Sequence, residues 1–329
     1  MEQNILYSII TPVYNRADCI LRCMESVAKS MKNKIWGGEI EHIIVDDGST
    51  DSTISILEKY AIHHPHIVFV KFEHNKGTNA ARNEAIRRAH GKWCILLDSD
   101  DYFVDDALTT ISFTMKEFPQ YNHYMFAPDD MQSYFKKNLI IRGAAQKVLL
   151  YPDFLNGYIG GDFIHVCNTE ILRKHPFDER LRIFEGLFFL MFFRDAQQML
   201  FTNKVVTIRE RNREDSVSKD FLRTNDAVIR RSILSEELFK EIFFDDLYNL
   251  GMKRRIVASN LALLDNYVLI GCYDKSLALL SEMRDVHTKK KLLLKWATIL
   301  HGGVVYKLLL RLYLFLKYKI FNIKISSTN

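Results

Sequence analysis

Cysteine is scarce in this sequence, and its spacing excludes a paired metal-ligand motif. The 329 residues include an odd number of cysteines, at Cys19, Cys23, Cys94, Cys167 and Cys272. Cys19 and Cys23 lie four residues apart on a predicted helix, which favours packing in the core over a binding site. We therefore expect reduced thiols, as in the cytosol.

Signals for export and for crossing a membrane are also missing. Met1 to Asn4 carry an acid and no basic segment ahead of a short apolar strand, so we expect no signal peptide. The apolar stretch of residues 304–316 contains Lys307 and Arg311, which is too much charge for a bilayer span. No repeat or low-complexity segment is present. With 48% hydrophobic residues, the chain is long enough for one α/β domain and an appendage.

Acidic residues are absent from the C-terminal end. From His287 onward there are nine Lys or Arg and no Asp or Glu, so a net charge of +5 becomes −4 when these nine are subtracted. The leucines and aromatics around Lys307 and Arg311 predict a helix that lies in a membrane interface, with its cations on anionic headgroups. A packing helix whose cations extend to solvent is the alternative. Nucleic acid is not an expected partner, because the segment lacks polar side chains that read bases.

An aspartate cluster, Asp98-Ser99-Asp100-Asp101, follows the apolar run of residues 93–97 directly. Five consecutive apolar residues predict a buried strand of a parallel sheet. The carboxylates then lie at the strand's carboxyl end, where open α/β sheets bind ligands. In extended backbone Asp98 and Asp100 point to the same side. Such a pair of oxygen donors suits Mg²⁺ or Mn²⁺ carrying a diphosphate.

Three upstream segments repeat this pattern of a strand followed by polar residues, at 8–15, 41–52 and 75–83. Each has an ordinary structural explanation: a loop begun by proline, a capped helix start, or a solvated basic loop. Together they predict a strand–loop–helix array whose polar residues gather at one sheet edge. Predicted strands are 6–11, 40–46, 67–72, 93–97 and 121–127; predicted helices are 17–30, 51–61, 79–89, 105–118, 226–239, 254–269 and 274–284; residues 131–150 are predicted as a hairpin or meander.

These motifs resemble those of family 2 glycosyltransferases of the GT-A fold, the type found in bacterial surface-polysaccharide assembly. The resemblance rests on Thr-Pro-Val-Tyr-Asn, Val-Asp-Asp-Gly-Ser-Thr-Asp, Asn-Lys-Gly…Ala-Arg-Asn and Leu-Asp-Ser-Asp-Asp, in this order. It implies an α/β fold with a Rossmann-like, mostly parallel central sheet and a C-terminal helical appendage. The expected domains are 1–218, with a nucleotide-binding half (1–100) and an acceptor half (101–218), and a helical region with a basic tail, 219–329.

The resemblance also implies an inverting transfer from a nucleotide-diphosphate sugar, most often a UDP-sugar, with Mn²⁺ or Mg²⁺. Asp47 and Pro12 would hold the base, Asp98 the ribose and Asp100 the metal. The expected nucleotide-sugar site comprises Thr11, Pro12, Tyr14, Asn15, Asp47, Lys76, Gly77, Arg82, Asp98, Ser99, Arg211 and Arg213.

The catalytic base is less clear in the sequence. The family supplies it from an acidic pair, typically Gly-Glu-Asp, and here Phe184 and Gly186 replace two of these residues. Glu185 is therefore the predicted base, and the alternative is that it only caps the following helix. Asp162 and Asp178 are the reserve candidates.

The expected reaction is transfer of a hexosyl or N-acetylhexosaminyl group to a glycan or lipid-linked acceptor. We expect the protein in the cytoplasm, peripheral at the inner face of the membrane. Two alternatives remain. One is transfer to a polyprenyl phosphate, where an anionic acceptor needs a base less. The other is a non-catalytic sugar-nucleotide-binding or scaffold protein, against which the intact pair Asp98 and Asp100 argues.

Overall fold

The computed structural model describes residues 5–32, 39–210 and 225–316. Two compact units divide the chain: one comprises residues 1–154 and 158–212, and the other comprises 155–157 and 213–329. The predicted domain boundary at residue 218 lies outside the described residues and stays a prediction.

The first unit is built on a sheet that has nine strands in the described part of the chain. The strands are β1 (Ile5–Val13), β2 (Glu39–Asp46), β3 (Ile67–Lys71), β4 (Trp93–Leu96), β5 (Tyr102–Phe103), β6 (His123–Pro128), β7 (Gln146–Leu150), β8 (Ile164–Asn168) and β9 (Gln198–Ile208). Their order is β3-β2-β1-β4-β8-β6-β9-β5, and β7 also pairs with β9.

Parallel pairing dominates the nucleotide-binding half of this sheet. Strands β3, β2, β1 and β4 are parallel neighbours, whereas β8 pairs antiparallel with both β4 and β6. Beyond them β9 is parallel to β6 and antiparallel to β5 and β7. The α/β fold class is confirmed, with a mixed sheet. Because β1, β2 and β4 are parallel, their carboxyl ends lie at the same edge.

Eight α-helices of the described chain lie between residues 20 and 196. They are α1 (Ile20–Ser30), α2 (Thr53–Ala61), α3 (Thr78–Arg88), α4 (Ala107–Glu117), α5 (Gln132–Lys137), α6 (Tyr151–Leu155), α7 (Thr169–Lys174) and α8 (Gly186–Ala196). Apolar spacing explains their packing: α1 buries Ile20, Cys23, Met24 and Val27, which share one face at intervals of three and four residues.

One predicted element is wrong. Residues 131–150 form no hairpin or meander: they contain helix α5 and a single strand, β7. Strand β7 pairs with β9, with Gln146 opposite Thr202. A strand whose partner lies about fifty residues away leaves no local hairpin signal. Helix α5 places Phe135 in the core, where it contacts Phe163 and Phe201.

The second unit is helical. It contains α9 (Asp226–Asn249), α10 (Lys253–Leu269), α11 (Tyr273–Glu282), α12 (Lys289–Ile299) and α13 (Gly303–Phe315). Its core includes Ile229, Leu264, Val268, Leu279 and Leu294. In the part of the chain covered by the structure, no helix combines the length and hydropathy needed to cross a membrane.

Candidate active site

The loop after β1 is fixed to the loop after β2 by hydrogen bonds between backbone N–H groups and side-chain oxygens. The Asn15 N–H donates to Ser49 Oγ (2.8 Å), and Asn15 Oδ1 accepts from the Thr50 N–H (2.8 Å). Asn15 has a φ of 49°, a left-handed conformation that asparagine tolerates better than most residues. Of its neighbours, Tyr14 is exposed, whereas Thr11 is buried with its Oγ1 2.9 Å from His42 Nε2. The predicted residues Thr11, Tyr14 and Asn15 thus flank one strand end.

The paired aspartates after β2 have different partners. Asp46 is buried, and its Oδ1 accepts from the Ser49 N–H at 2.8 Å. Asp47 Oδ1 accepts from the Lys76 N–H (2.7 Å), and its Oδ2 accepts from the Gly77 N–H (2.9 Å). Burial raises the pKa of Asp47 despite these two hydrogen bonds, which act in the opposite direction. Asp47 therefore anchors the loop before α3, a role that the sequence did not indicate.

Gly48 is required between these loops for steric reasons. Its φ is +75°, and a Cβ there would lie 2.6 Å from the carbonyl carbon of His74. Only glycine lets the 46–49 turn approach the 74–77 loop this closely.

The aspartates after β4 form a turn, which corrects the prediction of extended backbone. Strand β4 ends at Leu96, and the Asp101 N–H donates to the Asp98 carbonyl at 3.1 Å. Asp98 and Asp100 consequently have different neighbours: Asp98 Oδ1 lies 2.9 Å from Arg82 Nη2, and Asp100 Oδ2 lies 4.0 Å from Arg16 Nε. Ser99 is buried between them.

Arg82 joins two predicted site residues that are far apart in the sequence. Its side chain is 15% exposed, and its guanidinium contacts Asp98 and, at 3.3 Å, Glu185 Oε1. Burial acts to lower the pKa of Arg82, but the two carboxylates outweigh it, so the pKa is raised. The carboxylate predicted for the ribose and the one predicted as the base are therefore held on one cation.

Two asparagines of α3 position the segment that leads to Glu185. Asn83 Nδ2 donates to the Phe177 carbonyl (2.9 Å), and Asn83 Oδ1 accepts from the Phe177 N–H (2.8 Å). Asn79 Nδ2 donates to the carbonyls of Asp178 (2.9 Å) and Leu181 (3.3 Å). The two asparagines of the Asn-Ala-Ala-Arg-Asn motif thus bind the 177–181 segment. Arg82, which lies between them in the motif, contacts Asp98 and Glu185.

Glu185 stands at the N-cap position of α8 without a side-chain capping hydrogen bond, so it does not cap the helix through its carboxylate. Beside it, Ile183 has a φ of 70°, a strained conformation for a β-branched residue. A Cβ added to Gly186 would meet nothing within 4 Å. The position where the family has a second acid is therefore open space.

The remaining predicted residues are less informative. The reserve bases are both ion-paired: Asp178 with Arg180 at 2.6 Å, and Asp162 with Arg209 at 2.7 Å. Lys76 Nζ lies 4.6 Å from the centre of the Phe72 ring. Arg211 and Arg213 lie outside the described residues.

The carboxylates at this sheet edge are the candidate ligands for a metal ion. Among the described residues, no three His, Cys, Asp or Glu side chains form a group that could hold a metal alone. Mg²⁺ in nucleotide sites is usually held by one or two carboxylates together with substrate phosphates. Asp98 and Asp100, 55% and 30% exposed, provide such carboxylates in one turn. The pKa of the adjacent Asp101 is raised to about 8, mainly by burial and also by the negative charges of Asp98 and Asp100. These residues fit a cation that binds together with a diphosphate.

A buried histidine pair was missed by the sequence analysis. His123 Nε2 and His165 Nδ1 lie 3.0 Å apart, and His165 stacks on Phe189 of α8 with ring centroids 4.3 Å apart. Burial, and then the charge of Arg82, lowers the pKa of His165 to about 3. The only indication in the sequence was a histidine within an apolar strand, and histidines that merely pack in the core show the same pattern.

The sequence model described as Glycosyl transferase family 2 matches residues 8–148, which include β1 to β4 and the Asp98–Asp101 turn. Residues 8–148 are thus similar to family 2 glycosyltransferases. The resemblance that the motifs predicted is confirmed over these residues.

Two curated bacterial proteins are similar to this chain over part of its length. UDP-Glc:alpha-D-GlcNAc-diphosphoundecaprenol beta-1,3-glucosyltransferase WfaP of Escherichia coli is 37% identical over 142 residues, 42% of this chain and 50% of that protein. The putative teichuronic acid biosynthesis glycosyltransferase TuaG of Bacillus subtilis is 43% identical over 103 residues, 31% of this chain and 39% of that protein. The chain thus matches half or less of the length of these relatives.

Solved structures support the fold. S. aureus TarS 1-349 in complex with UDP-GlcNAc is 19% identical with a TM-score of 0.57, covering 94% of this chain and 91% of that chain. The mannosyltransferase PcManGT from Pyrobaculum calidifontis, in complex with GDP-Man and Mn²⁺, is 16% identical with a TM-score of 0.55, covering 93% of this chain and 86% of that chain. At this identity the likeness concerns the fold alone.

Proposed function

We propose that this protein is an inverting glycosyltransferase that moves a sugar from a UDP-sugar to a glycan or lipid-linked acceptor, with Mn²⁺ or Mg²⁺ as cofactor. The observation that carries the proposal is the Arg82 bridge. It brings the strand-end carboxylate Asp98 and the candidate base Glu185 onto one guanidinium, 2.9 and 3.3 Å away. This proximity supports a site in which Asp98 serves the donor and Glu185 serves the acceptor.

The donor half of the proposed site follows from the loops at that edge. The nucleoside would lie against the loop of Pro12 to Asn15 and the 75–77 loop that Asp47 anchors. Asp98 would accept a hydrogen bond from a ribose hydroxyl, and Asp100 would hold the cation. When bound, the cation neutralises the charge that develops on the leaving diphosphate. The PcManGT complex with Mn²⁺ supports the use of a divalent ion.

The acceptor half centres on Glu185. In the proposed step the acceptor oxygen forms a bond to the anomeric carbon, the bond from that carbon to the diphosphate breaks, and the acceptor proton passes to Glu185. Arg82 orients the carboxylate, which matches the general arrangement of a base held by a third group. The open space at Gly186 leaves room for an acceptor beside it.

The nature of the acceptor is supported only by relatives. The name of the E. coli relative specifies UDP-Glc and a GlcNAc-diphosphoundecaprenol, which is a lipid-linked acceptor. We infer the same class here and place the reaction at the cytoplasmic face of a membrane. The absence of a second acid at position 186 also suits a polyprenyl phosphate acceptor, because an acceptor that is already anionic needs a base less.

The test is a screen of UDP-sugars for release of UDP, using GlcNAc-diphosphoundecaprenol as the acceptor probe, with Mn²⁺ and Mg²⁺ and after chelation. We expect transfer that requires the cation. Asp100→Asn should abolish metal-dependent binding of UDP, measured by calorimetry, while Asp105→Asn serves as control because that exposed carboxylate contacts only Lys29 in the described residues. Metal-independent UDP binding, or full activity of Asp100→Asn, would refute the metal assignment. If UDP binds without any transfer across the screened sugars and acceptors, a non-catalytic binding protein becomes the better description.

A further inference from the structure

The histidine pair of β6 and β8 lies at the same sheet edge as the proposed site. In the pairing of β8 with β4, Val166 is opposite Ile95, so His165 lies level with Leu96, the last residue of β4. Asp98 follows Leu96 by only two residues. Because β8 runs antiparallel to β4, the first residues of β8 lie at the carboxyl end of β4, next to the carboxylates of the site.

Helix α8 connects His165 to the candidate base. The ring of Phe189 stacks on the ring of His165, with centroids 4.3 Å apart and planes at 24°. The Phe189 N–H donates to the Glu185 carbonyl at 3.2 Å, so Phe189 lies one helical turn after Glu185. Burial, and then the positive charge of Arg82, lowers the pKa of His165 to about 3, which places this cation near the ring as well. His165 is therefore close to both groups that the proposed transfer uses.

One nitrogen of the histidine pair faces the site. His123 Nε2 and His165 Nδ1 are 3.0 Å apart and the rings are at 13°, which is the geometry of an in-plane hydrogen bond. His165 Nε2 has no hydrogen-bond partner within the described residues. The two nitrogens of an imidazole lie on opposite sides of the ring, so this Nε2 points away from His123. Since His123 lies opposite Cys167, further from the sheet edge than His165, that direction leads towards the edge.

The surroundings of His123 decide which nitrogen of His165 carries a proton. Burial lowers the pKa of both histidines, so each ring is neutral and has one N–H. The Nδ1 of His123 is buried and has no partner in the described part of the chain. It is a lone pair if His123 Nε2 donates to His165, and an N–H without an acceptor in the opposite case, which folded proteins rarely contain. The first arrangement leaves the proton of His165 on Nε2, as a neutral donor at the site.

We propose that His165 recognises a sugar hydroxyl, which accepts a hydrogen bond from the His165 Nε2–H close to Glu185. This inference rests on the proposed glycosyl transfer, which brings sugars to this edge of the sheet. Hydroxyl groups are present on the transferred sugar and on a glycan acceptor, so the chemistry is shared by the two sources. A neutral donor suits an uncharged hydroxyl, and the contacts with His123 and Phe189 hold the ring in place before the sugar binds.

Two amide variants separate recognition from packing, because they reproduce different nitrogens of the ring. In His165→Gln the amide reaches the position of Nε2 but leaves His123 without its partner. In His165→Asn the amide reaches only the position of Nδ1, and the hydrogen bond with His123 is kept. We expect His165→Gln to retain sugar affinity and His165→Asn to lose it by about two- to tenfold, the worth of one neutral hydrogen bond. A histidine with only a structural role predicts the reverse order.

The assay titrates the full chain with UDP, UDP-glucose and UDP-N-acetylglucosamine in the presence of Mn²⁺, and measures turnover on GlcNAc-diphosphoundecaprenol. UDP affinity should equal that of the wild type in both variants, because UDP carries no sugar beyond its ribose. A contact with the transferred sugar lowers only the affinity for the UDP-sugar in His165→Asn, whereas a contact with the acceptor raises only the KM for the acceptor. The variant His123→Leu/His165→Phe removes both polar groups together, so no buried group is left unpaired, and it should show the same loss as His165→Asn.

The proposal is overturned if His165→Asn keeps the wild-type affinity for UDP-sugars and the wild-type KM for the acceptor, or if His165→Gln is the more damaged variant. Equal losses of UDP and UDP-sugar affinity also overturn it, because they would show that His165 only supports the fold of the site. A wild type that binds no UDP would refute the proposed function and this inference with it. A wild type that binds and transfers as well as His165→Asn does would refute this inference alone.

Discussion

Glu185→Gln is the substitution that tests the proposed chemistry most directly. Glutamine keeps the shape of the side chain and an oxygen that can still accept from Arg82, but it cannot accept the proton of an acceptor hydroxyl. General-base catalysis contributes roughly two to four orders of magnitude in rate. At about 1.4 kcal/mol per order, the activation barrier should rise by about 3–5.5 kcal/mol.

Stability should change far less than turnover. The Arg82–Glu185 contact is a single hydrogen-bonded ion pair of 3.3 Å, and Arg82 keeps Asp98 as its second partner. Glu185 is 23% exposed, so solvent screens part of the interaction. We expect the free energy of unfolding to fall by less than about 1.5 kcal/mol. UDP affinity should remain within about twofold, which is below 0.5 kcal/mol.

The assay compares three quantities for wild type and variant: turnover on the acceptor identified by the donor screen, UDP affinity, and urea unfolding. Glu179→Gln is the matched control, since Glu179 belongs to the same segment and its Oε1 contacts only Asn83 Nδ2, at 3.1 Å, in the described chain. Unchanged turnover of Glu185→Gln would refute its role as the base. A loss of turnover accompanied by an equal loss of UDP affinity would show that the ion pair with Arg82 is structural.

Three further predictions follow from local geometry. Gly186→Asp should raise the free energy of unfolding, measured by urea denaturation, by about 0.3–1 kcal/mol, because a carboxylate then lies in open space at the first turn of α8. An equal gain from Gly186→Asn would contradict this electrostatic explanation. Asp47→Asn should cost about 1.5–3 kcal/mol and weaken UDP binding, since one of two backbone N–H groups loses its acceptor; a cost under 0.5 kcal/mol would refute the anchoring role. The pKa of His42 and of His165 is lowered from 6.5 to about 3, chiefly by burial. As the pH falls, the unfolded chain therefore takes up protons on these histidines before the folded protein does. The free energy of unfolding should be constant above pH 6.5 and should fall by up to about 1.4 kcal/mol per pH unit for each histidine between pH 6.5 and 5. An unchanged slope in His42→Asn would show that His42 does not contribute to this pH dependence.

Much of the site could be predicted because it depends on patterns of residues that are close together in the sequence. An apolar run followed by polar residues marks the end of a strand, and several such runs in succession predict parallel neighbours with their ends together. Strands β1, β2 and β4 are indeed neighbours. The asparagines flanking Arg82 carried no such signal, because their partners are carbonyl groups about a hundred residues away.

The sequence by itself determined the resemblance to family 2 glycosyltransferases, the strand-end carboxylates and the apolar, acid-free C-terminal helices, since each of these depends on residue type and on spacing within a few turns. Only the tertiary structure decided which charges meet. Arg82 contacts Glu185 because the sheet order and two asparagine links place α3 beside the loop before α8. Lys307 faces Asp226 because Tyr306 and Leu310 fix the rotation of α13 on the helical core. Long-range ion pairs depend on how helices are rotated and which strands are neighbours, and apolar packing over the whole domain sets both.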